Sequence, residues 1–232
     1  MTLDPSVVER LLERLYLGGG APRDEERKKA REVAGLLALV AGAVPQPAPR
    51  GKARTLVDAA AGHGYVGLCA AALLGWRRVV AIERDPDRAA RVRAAAAKLE
   101  RPIELEVRVA ALDADVPAAM PDGVDLVVAL HACGPATDGV IAAATAAHAR
   151  WLLCAPCCYG GGVAGWPEAM READARGLRD AHVRARLAAA LIDGARLERL
   201  AAAGYEAALA SFAAPTVTPH HLAIRARRGG VA

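Results

Sequence analysis

From Arg54 onward, short apolar runs of β type alternate with Ala- and Arg-rich stretches of helical spacing, and no other feature narrows the fold as far. The β-type runs are Arg54 to Ala59, Arg78 to Ile82, Ile103 to Val109, Val124 to Leu130 and Trp151 to Cys154. Between them lie a helical stretch ending at Leu74, a second from Pro86 to Leu99 and a third from Pro135 to Ala147. Strands joined by crossover helices run parallel, and a parallel sheet buries its apolar side chains only when both faces are covered. An α/β, doubly wound sheet is therefore expected. A long helical region reaching about Ala203 follows, with two last strands near Glu206 to Phe212 and His221 to Arg227. In such a sheet ligands bind beyond the carboxyl ends of the strands, so the residues at those ends are the ones to search for chemistry.

Ahead of the first strand, Val7, Val8, Leu11, Leu12 and Leu15 recur at helical spacing, and a second helix with a charged start runs to about Gly42. The proline-rich segment Pro45 to Gly51 reads as a linker, dividing the chain into a helical extension over residues 1–50 and a main domain over 51–232. Arg23, Arg27, Lys28, Lys29 and Arg31 sit beside Asp24, Glu25, Glu26 and Glu32, the pattern of a solvated mixed-charge face rather than a nucleic-acid patch. With 54% hydrophobic and 24% charged residues the chain buries a large core and falls outside the disordered class. The apolar stretch Val33 to Val44 is shorter than the roughly 20 residues that span a bilayer, and Asp4, Glu9 and Glu13 interrupt any basic-then-apolar signal. No membrane contact and a cytoplasmic location are expected. Five cysteines, an odd number, point to reduced thiols rather than a disulfide framework. A net charge of +4 permits a polyanionic partner without demanding one, while 3% aromatics leaves few platforms for stacking bases.

The first strand leads into Asp58-Ala59-Ala60-Ala61-Gly62-His63-Gly64-Tyr65-Val66-Gly67. Taken literally, Gly62 to Gly67 is G-x-G-x-x-G, and Glu83 stands at the right distance to bind ribose hydroxyls, so an NAD(P)-dependent oxidoreductase is one reading. Asp58 favours another. A carboxylate at the end of this strand repels a pyrophosphate but attracts the ammonium and sulfonium of S-adenosylmethionine (SAM).

The run D-x-A-x-G-x-G from Asp58 resembles the first motif of the class I SAM-dependent methyltransferases, with Ala60 where that family usually has a glycine. Leu130-His131-Ala132-Cys133-Gly134-Pro135-Ala136-Thr137-Asp138 and Pro156-Cys157-Cys158-Tyr159 are similar to the L-H-A-C-x-x-A-T-D and P-C-C-[YH] signatures of one subfamily. That subfamily includes a tRNA 2′-O-methyltransferase and bacterial relatives. Arg184 to Leu200 and Thr218 to Ala226 extend the resemblance over about residues 30–228, although His63 and the His220-His221 pair replace residues common in the subfamily. The resemblance implies a Rossmann-like methyltransferase sheet of seven strands with the last antiparallel. It implies SAM as cofactor, held by Asp58, Ala60, Gly62, Gly64, Glu83, Leu130 and Asp113, with Asp115 a second choice for the last place. The acceptor is open among RNA, a protein side chain and a small molecule, with RNA favoured. A SAM- or RNA-binding module without turnover is the alternative on the same fold.

Strands four and five are neighbours in a doubly wound sheet, so His131 and Cys133 are expected to approach Cys157, Cys158 and Tyr159 and form the acceptor pocket. His131, Cys157, Cys158 and Tyr159 are the expected catalytic set. Three chemistries suit them. His131 and Tyr159 orient or deprotonate an acceptor; or Cys157 is a covalent nucleophile, as in cytosine C5 methylation; or His131, Cys133, Cys157 and Cys158 hold zinc, although adjacent cysteines lack the usual two-residue spacer. The first, metal-free, is preferred. Arg196, in a mostly apolar helix, either reaches an anionic substrate group or snorkels to the surface.

Overall fold

The computed structural model describes residues 3–18, 20, 22–45, 53–112 and 120–230. Helix α1 (Pro5–Leu12) continues through a π-helical turn (Glu13–Leu17) and is followed by α2 (Asp24–Ala43). Then come β1 (Thr55–Ala59), α3 (Tyr65–Leu74), β2 (Arg78–Glu83), α4 (Pro86–Ala96), β3 (Glu104–Val109) and β4 (Val124–Cys133). The chain ends with α5 (Ala136–Ala146), β5 (Trp151–Cys157), α6 (Trp166–Ala175), α7 (Ala181–Ala202), β6 (Tyr205–Ser211) and β7 (Leu222–Arg228). The seven strands form one sheet in the order β3-β2-β1-β4-β5-β7-β6. Strands β1 to β5 are parallel, and β7 runs antiparallel to both β5 and β6. The order reverses between β1 and β4, which opens a crevice at their carboxyl ends.

Side chains alternate across the sheet. Leu56 faces a core shared with α1, α2 and α3, and Val57 faces one shared with α5 and α7. Burial on both faces is why the strands read as continuous apolar runs. Helix α2 belongs to the first core: Ala30, Val33, Leu36 and Leu37 are buried in one cluster with Leu56, Val128 and Leu153. Its seat is tight, since a Cβ on Gly35 would stand 1.7 Å from the Phe212 carbonyl oxygen.

Strands β4 and β5 each run three residues beyond their apolar sequences, to Cys133 and Cys157. In β4 the pairing passes from Leu130 opposite Ala155 to Ala132 opposite Pro156, so His131 bulges out of the ladder with φ 61°. Pro156 reads in sequence as the end of a strand. It is accommodated because the pairing of β5 with β7 stops at Cys154, so no hydrogen bond is required of Pro156 on that side. The long helical region is two helices, α6 and α7, broken between Arg176 and Asp180. Linker residues 46–51 and the loop with Asp113 and Asp115 lie outside the described residues. Among the described residues no helix is long and apolar enough to cross a membrane.

Candidate functional site

A cleft of about 510 Å³ opens at the carboxyl ends of β1, β2 and β4. Asp58, Ala60, Gly62 and Glu83 line one end, Lys29, His131 and Cys133 line the other, and Leu130 lies along it as well.

At the first end the glycine loop is braced by carboxylates. The Gly62 amide donates to Glu83 Oε2 at 2.7 Å, and the Asp85 amide donates to Oε1 at 3.0 Å. The Gly67 amide donates to Asp58 Oδ2 at 2.8 Å. Burial pushes the Asp58 carboxyl up to about 7; the Gly67 bond opposes this and the charge of Glu83 adds to it. Two buried carboxylates side by side make this end receptive to a cation. Gly67 serves packing, since a Cβ there would stand 3.0 Å from both Asp58 and Val79. Gly62 and Gly64 take positive φ, and so does Ala60 at 53°. The left-handed region costs a residue with a Cβ about 1–2 kcal/mol.

Among the described residues four that are not glycine have positive φ, and three of them stand at the carboxyl ends of neighbouring strands: Ala60 and Cys158 directly follow β1 and β5, and His131 lies two residues before the end of β4. Such strain persists only where the surroundings enforce it.

At the second end His131 Nε2 lies 2.9 Å from Glu32 Oε2, and Lys29 Nζ donates to the same oxygen at 2.7 Å. Glu32 is 1% exposed. Burial raises its carboxyl, but the bonds from His131 and Lys29 together outweigh that and hold it at about 2. Sequence reasoning missed both Lys29 and Glu32, which sit in what reads as a solvated charge run. A signal was present: Glu32 lies four residues before the buried Leu36, on the apolar stripe of α2, where a carboxylate needs a partner. The rest of the run does behave as a mixed-charge face, with Arg23 paired to Glu26 and Arg27 to Asp24 and Glu9. His220, from the loop before β7, has its pKa lowered by burial and by the charges of His131 and Lys28, which places it beside this end.

Cys133 Sγ lies 2.7 Å from Cys157 Sγ and 3.5 Å from Cys158 Sγ, as the neighbouring strands lead one to expect. Burial raises the Cys157 thiol pKa strongly, and the two neighbouring thiols raise it further. A thiol kept protonated is a poor nucleophile, which weighs against covalent chemistry at Cys157. Tyr159 is not brought to His131. Its hydroxyl is 2.7 Å from both oxygens of Asp193, and the Arg196 guanidinium lies over its ring. Arg196, 1% exposed, bonds to Asp138 and Asp193. It therefore fills neither role expected of it, being a buried clamp that ties the end of β5 to α5 and α7. Thr137 and Asp138 of the A-T-D signature are likewise structural in their contacts: Thr137 donates to the Ala132 carbonyl beside the bulge, and Asp138 accepts from Arg196 and Arg199.

A family profile described as a methyltransferase domain matches residues 28–161. Among curated proteins none matches significantly. Fibrillarin from Methanococcus jannaschii, a pre-rRNA processing protein, superposes with a TM-score of 0.55 at 15% identity, over 86% of this chain and 75% of its own. The mycolic acid cyclopropane synthase CmaA1, solved with SAH and CTAB, gives 0.55 at 17%, over 89% and 73%. A candidate RNA methyltransferase from Pyrococcus horikoshii gives 0.51 at 13%, over 100% of both chains. These likenesses are of fold, and the profile, which spans more than half of the sequence and both ends of the cleft, carries the assignment: the chain belongs to the methyltransferase domain family.

Proposed function

We propose that this chain transfers a methyl group from SAM to an acceptor seated over His131, and that the acceptor is RNA. The observation that carries the reading is one continuous cleft with buried Asp58 and Glu83 at one end and a His131-Glu32-Lys29 contact at the other. The residues suit SAM better than NAD. Asp58, buried beside Glu83, gains from an ammonium and would be penalised by a pyrophosphate. Each Glu83 oxygen accepts one backbone amide and keeps a second lone pair for a ribose hydroxyl. Ala60 and Gly62, which line the cleft, would let the loop approach the ligand closely, Leu130 would pack beside it, and Asp113 would complete the set; Gly64 serves the turn and its packing instead, since a Cβ there would stand 2.9 Å from Val92. When bound, SAM supplies an electrophilic methyl group.

The chain's own part is positioning and proton handling. With a neutral imidazole, His131 donates from Nε2 to Glu32, and Nδ1 is left to accept a proton from a hydroxyl acceptor. Lys29 offsets the Glu32 charge and lines the cleft beside His131, where it would face an anionic group of the acceptor. The RNA-linked descriptions of two structural neighbours lend the same direction.

Calorimetry with SAM and NAD tests the cofactor: SAM is expected to bind, and tight NAD binding without a SAM response would overturn the reading. Labelled methyl transfer to bulk tRNA tests the acceptor, with binding expected to fall steeply with salt. Salt-insensitive or absent tRNA binding would move the acceptor to a protein or small molecule. His131→Ala should leave SAM affinity within a few-fold while transfer falls by about 10²-fold or more. Loss of SAM binding in that variant would make His131 a cofactor ligand.

A further inference from the structure

The three cysteines at the ends of β4 and β5 converge by a construction that neither a thiol pair nor core packing explains. The parallel register sets Cys133 opposite Cys157. Without the bulge at His131, Ala132 would occupy that place, so the strained residue is what delivers the first sulfur. Successive residues of a strand point to opposite faces, and Cys157 and Cys158 would diverge if β5 simply continued. Cys158 instead takes φ 52°, and its sulfur stands 3.5 Å from that of Cys133. The left-handed residue does the work of the two-residue spacer whose absence argues against a metal in the sequence. All three sulfurs lie within 4.8 Å of one another.

We propose that Cys133, Cys157 and Cys158 bind a thiophilic divalent cation of the Zn²⁺ type, with the fourth coordination position turned to the cleft that Cys133 and His131 line. Soft sulfur ligands select such ions. Closed structural zinc sites have four protein ligands, whereas three with an open position is the arrangement of sites that bind a further ligand. Cys133 borders the cleft, and Cys133 and Cys158 are exposed, so an ion has a path in. Zinc bound at about 2.3 Å in a tetrahedron separates its sulfurs by roughly 3.8 Å. The Cys133–Cys158 spacing is near that value, and the 2.7 Å Cys133–Cys157 contact must open by about 1 Å. Cys133 is exposed, so its side chain is the one with room to turn and make this adjustment. The inference stands on the thiol geometry and does not need the methyltransferase reading.

The test titrates the reduced, full-length protein with Co²⁺ as a spectroscopic probe and then displaces it with Zn²⁺. One ion per chain is expected, with thiolate-to-metal charge-transfer absorption. Cys133→Ser, Cys157→Ser and Cys158→Ser should each weaken Zn²⁺ binding by more than about 100-fold, since even outer-shell partners are worth roughly 10- to 100-fold. Cys154→Ala, in the core away from the cluster, should not. Far-UV circular dichroism checks that each variant is folded, and the wild-type stoichiometry stands whatever the variants do. Failure of the wild type to take up either ion, undiminished binding in the folded serine variants, or a Cys133–Cys157 disulfide in metal-free native protein would overturn the proposal.

Discussion

Replacing Glu32 with Gln removes one charge from the contact between α2 and the end of β4 while keeping the side chain's volume. The carboxylate is held at about 2 against an ordinary 4.5, and at ~1.36 kcal/mol per tenfold this corresponds to about 3 kcal/mol. Lys29 is about one-third exposed, so its share is screened and a loss of about 2 kcal/mol is the better expectation. In urea, with a slope of ~2–3 kcal/mol per molar for a chain of this size, the midpoint should fall by about 1 M at pH 7. A carboxyl whose folded-state pKa is depressed contributes its full stability above the unfolded value and loses it as pH falls through the folded one. The difference between wild type and variant should therefore be constant from pH 7 to about 5, and about half of it should be gone by pH 3.5. A variant as stable as wild type at pH 7, or a difference that does not change down to pH 3.5, would show that desolvation of Glu32 cancels its bonds to Lys29 and His131. A double-mutant cycle with His131→Ala assigns the share that belongs to that pair.

SAM binding should release protons near pH 7, because an ammonium beside Asp58 lowers a carboxyl that burial holds at about 7; calorimetry in buffers of different ionisation enthalpy reads the release, which should vanish by about pH 9. Arg196→Met leaves Asp138 and Asp193 without their shared cation and should cost about 3–5 kcal/mol in chemical denaturation. Tyr159→Phe should change the transfer rate far less than His131→Ala, since its hydroxyl is engaged with Asp193; an equal loss would return Tyr159 to the catalytic set. Gly35→Ala forces a methyl group into the Phe212 carbonyl and should cost at least about 1–3 kcal/mol, measured by urea unfolding, with α2 and its Lys29 and Glu32 displaced from the cleft.

The end of the cleft lined by Asp58 and Glu83 was legible because it is local. Asp58, Gly62 and Gly64 lie on one short strand-turn-helix, and Glu83 ends the next strand, so motif spacing alone predicts that they meet. The end around His131 was legible only in part. His131 and the cysteines announce themselves at two strand ends, but Pro156 hides the extension of β5. Tyr159, adjacent to those cysteines in sequence, turns instead to Asp193, 34 residues away.

What the sequence determined by itself was the periodicity and the order of elements, hence a parallel doubly wound sheet and the positions of its strand ends. Short-range sterics and the burial of apolar side chains dictate those features, and both are written residue by residue. The tertiary structure alone decided that α2 belongs to the same core as the sheet, that Glu32 meets His131 across 99 residues of chain, and that Arg196 is a buried clamp. It also decided that Ala60, His131 and Cys158 adopt left-handed backbone. Each of these depends on long-range packing that outweighs a local preference: a buried carboxylate is tolerable only where another element brings a cation, and a strained φ only where both flanking segments are held.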